Sequence, residues 1–261
     1  MDLGLQGKVV LVTGASRGIG RAVAVAAAGE GADLAIAART PDDLDETASA
    51  VEATGSRVVA VAGDMTDPAE LERLVVAATD RLGGIDAAVT CVGSTPLGRF
   101  GSLEADTWAL AFGTKFMATV HAIRAVTPAL RARGGGSVLA VAGNSSHAPD
   151  PLLATSVVMN SALVGLVGVL ARDLAADGIS VNAVSPGPVD TARFAGLTAA
   201  RADADGSSHE QARRAIERGI PTGRVAQPAE VASVVVSLLS PKWRHLTGEN
   251  IVIDGAQSWA C

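Results

Sequence analysis

The chain has no tyrosine anywhere in its 261 residues. Chemistry that runs through a phenol as proton donor is therefore excluded. Cysteine is nearly absent: Cys91 and Cys261 stand far apart and form no Cys-x-x-Cys pair. That spacing argues against a disulfide framework or a zinc site and points to a reducing cytoplasm; no metal centre is expected. An excess of positive charge is missing too. Lys and Arg number 21 against 27 Asp and Glu, for a net charge of −6, so nothing resembles the basic stripe of a nucleic-acid binder. Arg213, Arg214 and Arg218 do cluster, but Glu210 and Glu217 lie among them, the pattern of a solvated helix face. No uninterrupted apolar run approaches the ~18 residues of a membrane span. Met1–Lys8 lacks the basic stretch and apolar run of a secretory leader. The expectation is a protein with neither nucleic-acid nor membrane partners.

What remains is a globular composition: 48% hydrophobic and 18% charged residues, with length enough for one large core. Short apolar runs recur at Val9–Val12, Leu34–Ala38, Val58–Ala62, Ala87–Thr90, Ser137–Ala142, Ile179–Val184 and Ile251–Ile253. They are apolar throughout instead of alternating, which suits parallel strands covered on both faces. Between them lie amphipathic stretches near 18–30, 41–54, 68–82, 107–132, 156–177 and 228–240. Three of these begin alike, at Thr40-Pro41-Asp42-Asp43, Asp67-Pro68-Ala69-Glu70 and Gln227-Pro228-Ala229-Glu230. Proline occupies the first helical position, where a missing N–H costs nothing, and an acid faces the positive end of the helix dipole. The alternation predicts a doubly wound α/β fold, a parallel seven-stranded sheet with helices on both faces. A single domain over 1–261 is expected, with a lid-like, mobile insertion around 186–221, where Gly, Pro, Ala and Asp concentrate. The stretch Ser156–Ala171 is apolar nearly all round, as in a helix buried on two sides, one against the sheet and the other against a subunit partner.

The first strand runs into Thr13-Gly14-Ala15-Ser16-Arg17-Gly18-Ile19-Gly20. Glycines there allow a tight turn and close approach to a pyrophosphate, which the N–H groups and dipole of the next helix favour. The spacing is Gly-x-x-x-Gly-x-Gly, not the commoner G-x-G-x-x-G.

The string TGASRGIG resembles the short-chain dehydrogenase/reductase family, in its 3-oxoacyl-ACP-reductase-like form. Further matches are Asp64, Gly93, Asn182 in ISVNAVSPG, the run Pro186-Gly187-Pro188-Val189-Asp190-Thr191, and Thr247–Gly255. The resemblance spans essentially the whole chain. It implies a Rossmann fold, a dimer or tetramer (a homotetramer foremost), and a nicotinamide cofactor held by Gly14, Ser16, Arg17, Gly18, Ile19, Gly20, Arg39, Asp64, Met65, Gly93, Pro186, Gly187, Val189 and Thr191. Asp64 would reach the adenine, and Val189 and Thr191 the nicotinamide end. In such folds an acid ending the second strand selects NAD, and arginine accommodates a 2′-phosphate. Here Ala38 takes the acid's place, Arg39 follows, and Arg17 lies in the Gly turn, so NADP(H) is expected.

The resemblance breaks at the family's catalytic residues. Counting back from Ala162-Leu163-Val164-Gly165-Leu166, the lysine position holds Asn160 and the tyrosine position Ser156. The serine position holds Gly143 and the asparagine position Lys115. Lys115 is the sharpest replacement candidate, a buried ammonium of lowered pKa able to donate a proton. Its alternative reading is a lysine that snorkels to solvent or ties down backbone carbonyls. His147, in the run Asn144-Ser145-Ser146-His147 expected at the pocket mouth, is a candidate acid–base group or an exposed loop residue. Ser156 is a hydrogen-bond donor or a helix-start hydroxyl. Asn160 could still hold a ribose hydroxyl, and Cys91 reads as a small buried hydrophobe. Three functions stay open: an atypical NADP(H)-dependent reductase of a small carbonyl substrate; a non-redox lyase, isomerase or cyclase; and a non-catalytic cofactor-binding subunit, as a homo-oligomer or paired with an active relative.

Overall fold

The computed structural model describes residues 2–93 and 95–258; Met1 and Cys261 lie outside the described residues. Seven parallel strands form one sheet in the order β3-β2-β1-β4-β5-β6-β7. They are β1 (Val9–Thr13), β2 (Asp33–Ala38), β3 (Val58–Ala62), β4 (Ala87–Thr90), β5 (Gly136–Val141), β6 (Ile179–Pro186) and β7 (Asn250–Ile253). Helices α1 (Gly18–Gly29), α2 (Pro41–Glu52) and α3 (Pro68–Leu82) follow the first three strands. Then come α4 (Ala105–Ala111), α5 (Ala118–Ala132), α6 (Ala154–Leu174), α7 (Ala192–Asp205), α8 (His209–Arg218) and α9 (Pro228–Leu238).

The uniformly apolar strands bury both faces. Val10 and Val12 of β1, with Leu34 and Ile36 of β2, pack with residues of α1 and α9. Val9, Leu11, Ala35 and Ala37, alternating with them, pack on the other side against α3, α5 and α6. One strand thus feeds two cores because successive side chains point to opposite faces. The helix starts follow the proline logic: Pro41, Pro68 and Pro228 are first residues of their helices, Asp67 accepts the Ala69 N–H at 2.9 Å, and Gln227 with Glu230 forms a capping box.

Three features depart from the sequence reading. The helix expected over 107–132 is interrupted by a wide π turn, Phe112–Met117, between α4 and α5. The Thr114 hydroxyl donates to Leu110 O at 2.7 Å and that of Thr119 to Lys115 O at 2.9 Å. Such back-bonding competes with the helix ladder, and π turns gather at functional sites. The segment 186–221, expected as a lid-like, mobile insertion and given no helix of its own, is largely helical. Thr191 caps α7 by accepting the Phe194 N–H at 3.4 Å, Ser208 and Gln211 form a capping box on α8, and Phe194, Ile220 and Val225 make a small core of their own. Finally, Ala154–Asp177 is long and apolar enough to cross a membrane by length and composition, with mean hydropathy 1.8. Scattered Ser and Asn residues break the uninterrupted run but not the average. This helix packs on β6 and carries two site residues, and core helices share that composition.

Candidate active site

The strand order reverses between β1 and β4, where one chain connection leads to the left and the next to the right. In doubly wound sheets, ligands settle outside the carboxyl ends of the strands at this switch point. Register holds those ends level: Thr13 pairs with Ala37 on one side and with Thr90 on the other. Above them opens a cavity of about 890 Å3.

One half of the cavity is built by the Gly turn. Gly14 has φ +69°, and a Cβ on it would stand 2.7 Å from the Cys91 carbonyl oxygen. A Cβ at Gly20 would lie 2.2 Å from Gly14 O. The turn therefore needs bare backbone at both places. Arg17, at the N-cap of α1, makes no side-chain cap, and the first turn holds no acid. The leading N–H groups of α1 thus face the cavity as an anion cradle, which fits a pyrophosphate. Around it the structure brings together Ser16, Gly18, Ile19, Arg39, Asp64, Met65, Gly93, Pro186, Gly187, Val189 and Thr191. Every residue expected at the cofactor lines this one cavity. At the end of β2, Ala38 is buried and Arg39 exposed, and Arg17 is exposed beside them. Neither arginine forms an ion pair among the described residues. Asp64 accepts the Thr66 N–H at 3.0 Å, which fixes its loop.

The other half holds Lys115, Ser156 and Asn160. Lys115 sits in the π turn, 7% exposed, and its Nζ donates to Val141 O at 2.7 Å, at the end of β5. Both readings of this lysine thus meet in one residue: it ties down a carbonyl and stands at the cavity. Burial pushes its ammonium down to about 8, with the Cys91 sulfur opposing and Arg193 reinforcing the shift. Cys91 itself is half-buried, and desolvation pushes its thiol up to about 12, partly offset by Lys115. A neutral thiol at neutral pH matches the reading of a small hydrophobe.

Asn160 is buried and donates from Nδ2 to the Ser145 hydroxyl at 2.9 Å. Ser156, also buried, shares a hydrogen bond with the Thr95 hydroxyl. His147 must be corrected. Its ring is exposed, lies 2.7 Å from Asn250 Nδ2 on β7, and does not line the cavity. The short turn Asn144–Ser146 swings it out toward the sheet edge. Asn144 instead reaches the C-terminal turn, donating to Gln257 Oε1 at 2.8 Å and Asp254 Oδ2 at 3.3 Å. The basic run of α8 also needs correction. Arg213 is not merely solvated: it lies 3.2 Å from Asp190, 2.9 Å from Glu217 and 5.3 Å from the Phe194 ring centre, whereas Arg214 pairs with exposed Glu210.

Sequence reasoning missed two cationic contributors, Arg193 and Arg201. Arg193 enters from α7, donating from Nη1 to Thr95 O at 2.7 Å and from Nη2 to the Thr95 and Ser156 hydroxyls at 3.3 Å each. Burial holds its guanidinium below the ordinary arginine range. Arg201, also on α7, pairs with Asp150 at the cavity wall. The available signal was a cation, Arg193, two residues beyond Thr191 in a stretch otherwise matched to the cofactor.

Comparison with known proteins agrees with this architecture. Residues 14–256 match a family model described as Enoyl-(Acyl carrier protein) reductase. The chain is 30% identical over 254 residues to 2,3-dihydro-2,3-dihydroxybenzoate dehydrogenase of Bacillus subtilis, covering 97% of this chain and 96% of that protein. It is 30% identical to an L-rhamnose 1-dehydrogenase (NAD(P)(+)) of Sphingomonas, covering 96% of each. Among solved structures, L-sorbose reductase from Gluconobacter frateurii, complexed with NADPH and L-sorbose, superposes with a TM-score of 0.93 at 29% identity over 100% of both chains.

Proposed function

This chain belongs to the short-chain dehydrogenase/reductase family, and we propose that it is an NADP(H)-dependent carbonyl reductase that works without a tyrosine. The end of β2 carries the cofactor choice: Ala38 stands where an acid would select NAD, and Arg39 and Arg17 flank the same cavity. Two guanidiniums and no carboxylate there suit a 2′-phosphate. The Gly turn would hold the pyrophosphate, Asp64 and Met65 the adenine end, and Val189, Thr191, Pro186 and Gly187 the nicotinamide end.

Bound in this cradle, the reduced cofactor would supply a hydride to the carbonyl carbon. The chain supplies the rest. Lys115, with its ammonium near pKa 8, gives the proton to the carbonyl oxygen and is reprotonated from solvent. Ser156 donates a hydrogen bond to that oxygen, and Asn160, held by Ser145, meets a ribose hydroxyl. A positioned acid is worth ~10²–10⁴ in rate, while juxtaposing the reactants is worth effective molarities of ~10⁵–10⁸ M. Losing the tyrosine therefore leaves the larger contribution intact. The same reading makes the protein cytoplasmic, supported by Cys91 as a free thiol.

A second reading is favoured by one observation. Leu110, Phe112, Val158 and Val169 are large apolar residues exposed on α4, the π turn and α6, which supports a dimer or tetramer. A partner carrying a complete active site would make this chain its cofactor-binding subunit. Titration with NADPH and NADH, followed by nicotinamide fluorescence, tests the first reading together with a carbonyl-substrate screen. Micromolar NADPH affinity, weaker NADH affinity and turnover by the purified chain support it. Binding of neither cofactor overturns it, and light scattering reports the assembly.

A further inference from the structure

The hydroxyls of Ser156 and Thr95 and the guanidinium of Arg193 form one hydrogen-bonded cluster at the wall of the cavity. A hydroxyl has one proton to give and two lone pairs to receive. Arg193 Nη2 donates to both oxygens, filling one lone pair on each. A single hydrogen bond joins Thr95 Oγ1 to Ser156 Oγ, and either oxygen can be its donor.

The surroundings settle the direction that a ligand would favour. With Thr95 donating, Ser156 Oγ accepts twice, from Thr95 and from Arg193. Its own O–H is then turned away from the cluster and toward the cavity. With Ser156 donating, that proton is spent inside the cluster. A carbonyl oxygen arriving in the cavity accepts a hydrogen bond and offers none, so it selects the first arrangement. Donation into Ser156 Oγ from a cation also polarises the outgoing O–H, since chained hydrogen bonds reinforce one another in a low-dielectric site.

We propose that Arg193 is a positioning residue that, with Thr95, makes Ser156 the hydroxyl donor to the substrate's carbonyl oxygen. This deepens the carbonyl-reductase reading and rests on it. Charge developing on that oxygen is stabilised through Ser156 by the guanidinium behind it, while the proton transferred still comes from Lys115. Arg193 belongs to α7, whereas Thr95 follows β4 and Ser156 opens α6. The donor is therefore complete only when α7 is seated against these two elements.

The test compares wild type with Arg193→Gln, Arg193→Lys, Ser156→Ala and the Arg193→Gln/Ser156→Ala double variant, on the best carbonyl substrate. Circular dichroism and NADPH titration confirm that each variant folds and keeps its cofactor. Removing an oxyanion-type donor costs about 100-fold in kcat. Arg193→Gln and Ser156→Ala are each expected to lose about that much with NADPH affinity unchanged. The double variant should be no worse than either, because the pair acts as a unit. Added guanidinium should restore part of the activity of Arg193→Gln, whereas Arg193→Lys, which keeps charge but not the fork, should recover less. Unchanged kcat, a loss confined to KM, or losses that multiply in the double variant would overturn the proposal. If wild type reduces no carbonyl compound, the reductase reading fails and a second arm decides the cluster. Acetate is then titrated into the NADP+ complex as a small oxyanion probe. Saturable binding that weakens at least tenfold in both Arg193→Gln and Ser156→Ala supports the donor cluster. Equal or absent binding overturns it.

Discussion

Gly143 lies against Asn160 so closely that a Cβ at 143 would stand 2.7 Å from Asn160 Nδ2. Asn160 needs that space to reach the Ser145 hydroxyl. Gly143→Ser should therefore displace the Asn160 amide and strand a buried polar group, costing about 1–3 kcal/mol. Chemical denaturation measures the loss. Asn160→Ala added to Gly143→Ser should relieve most of it, and a double variant as unstable as the sum of the singles would show that the contact is not the cause.

The Gly turn is less forgiving. Nothing flexible faces Gly20: its Cβ would meet the Gly14 backbone oxygen. Gly20→Ala should force the turn apart, with nucleotide affinity falling at least tenfold and thermal stability dropping. Gly29, whose Cβ would meet nothing within 4 Å, is the control. Gly29→Ala should leave binding unchanged and gain stability of about 0.5–1 kcal/mol from helix propensity.

Burial of Lys115 makes stability depend on pH. Its ammonium titrates near 8 in the fold against an ordinary 10.5. Between these values the unfolded chain keeps a proton that the folded chain has lost, so stability rises with pH across that window. Below pH 8 the buried charge exacts its full cost, up to about 3 kcal/mol at 1.36 kcal/mol per pH unit. Lys115→Met should thus be relatively most stabilising at pH 7 and lose that advantage by pH 10. A stability difference between the two proteins that does not change with pH would refute the burial of the charge.

The same titration should shape catalysis. A proton donor with a pKa near 8 is loaded below that pH and empty above it. Carbonyl reduction should fall as pH climbs through about 8, and Lys115→Met should flatten the profile while lowering kcat by ~10²–10⁴. A profile unaltered by the substitution would remove Lys115 from proton transfer.

Cofactor choice has a direct check. Arg39→Ala should weaken NADPH binding by about 10-fold or more, the loss of a charge-assisted contact of 1.5–3 kcal/mol, roughly, while NADH changes little. Arg17→Ala should act in the same direction. Equal losses for both nucleotides would show that neither guanidinium reads the 2′-phosphate.

Much of the fold is legible in the chain itself. The seven apolar runs, the proline-led helix starts and the Gly turn are local signals, and each maps onto its element within a residue or two. The residues expected at the cofactor came from the resemblance of TGASRGIG and its further matches, and the structure brings them to one cavity at the carboxyl ends of the strands. The π turn was not, since one widened turn leaves the amphipathic pattern of 107–132 almost unchanged. Nor were α7 and α8, whose Gly, Ala and Asp content resembles that of a loop until their caps are seen.

The sequence by itself determined the strands, their buried parallel sheet, and the absence of a tyrosine, because hydrophobic pattern, turn chemistry and composition are properties of the chain alone. Only the tertiary structure decided where the polar side chains went. It folded Lys115 onto Val141 O, 26 residues away, and turned His147 outward to Asn250, 103 residues on. It also carried Arg193 across 37 residues to Ser156. Such long polar side chains take their partners from whatever the packed helices bring within reach, and no local periodicity encodes that meeting.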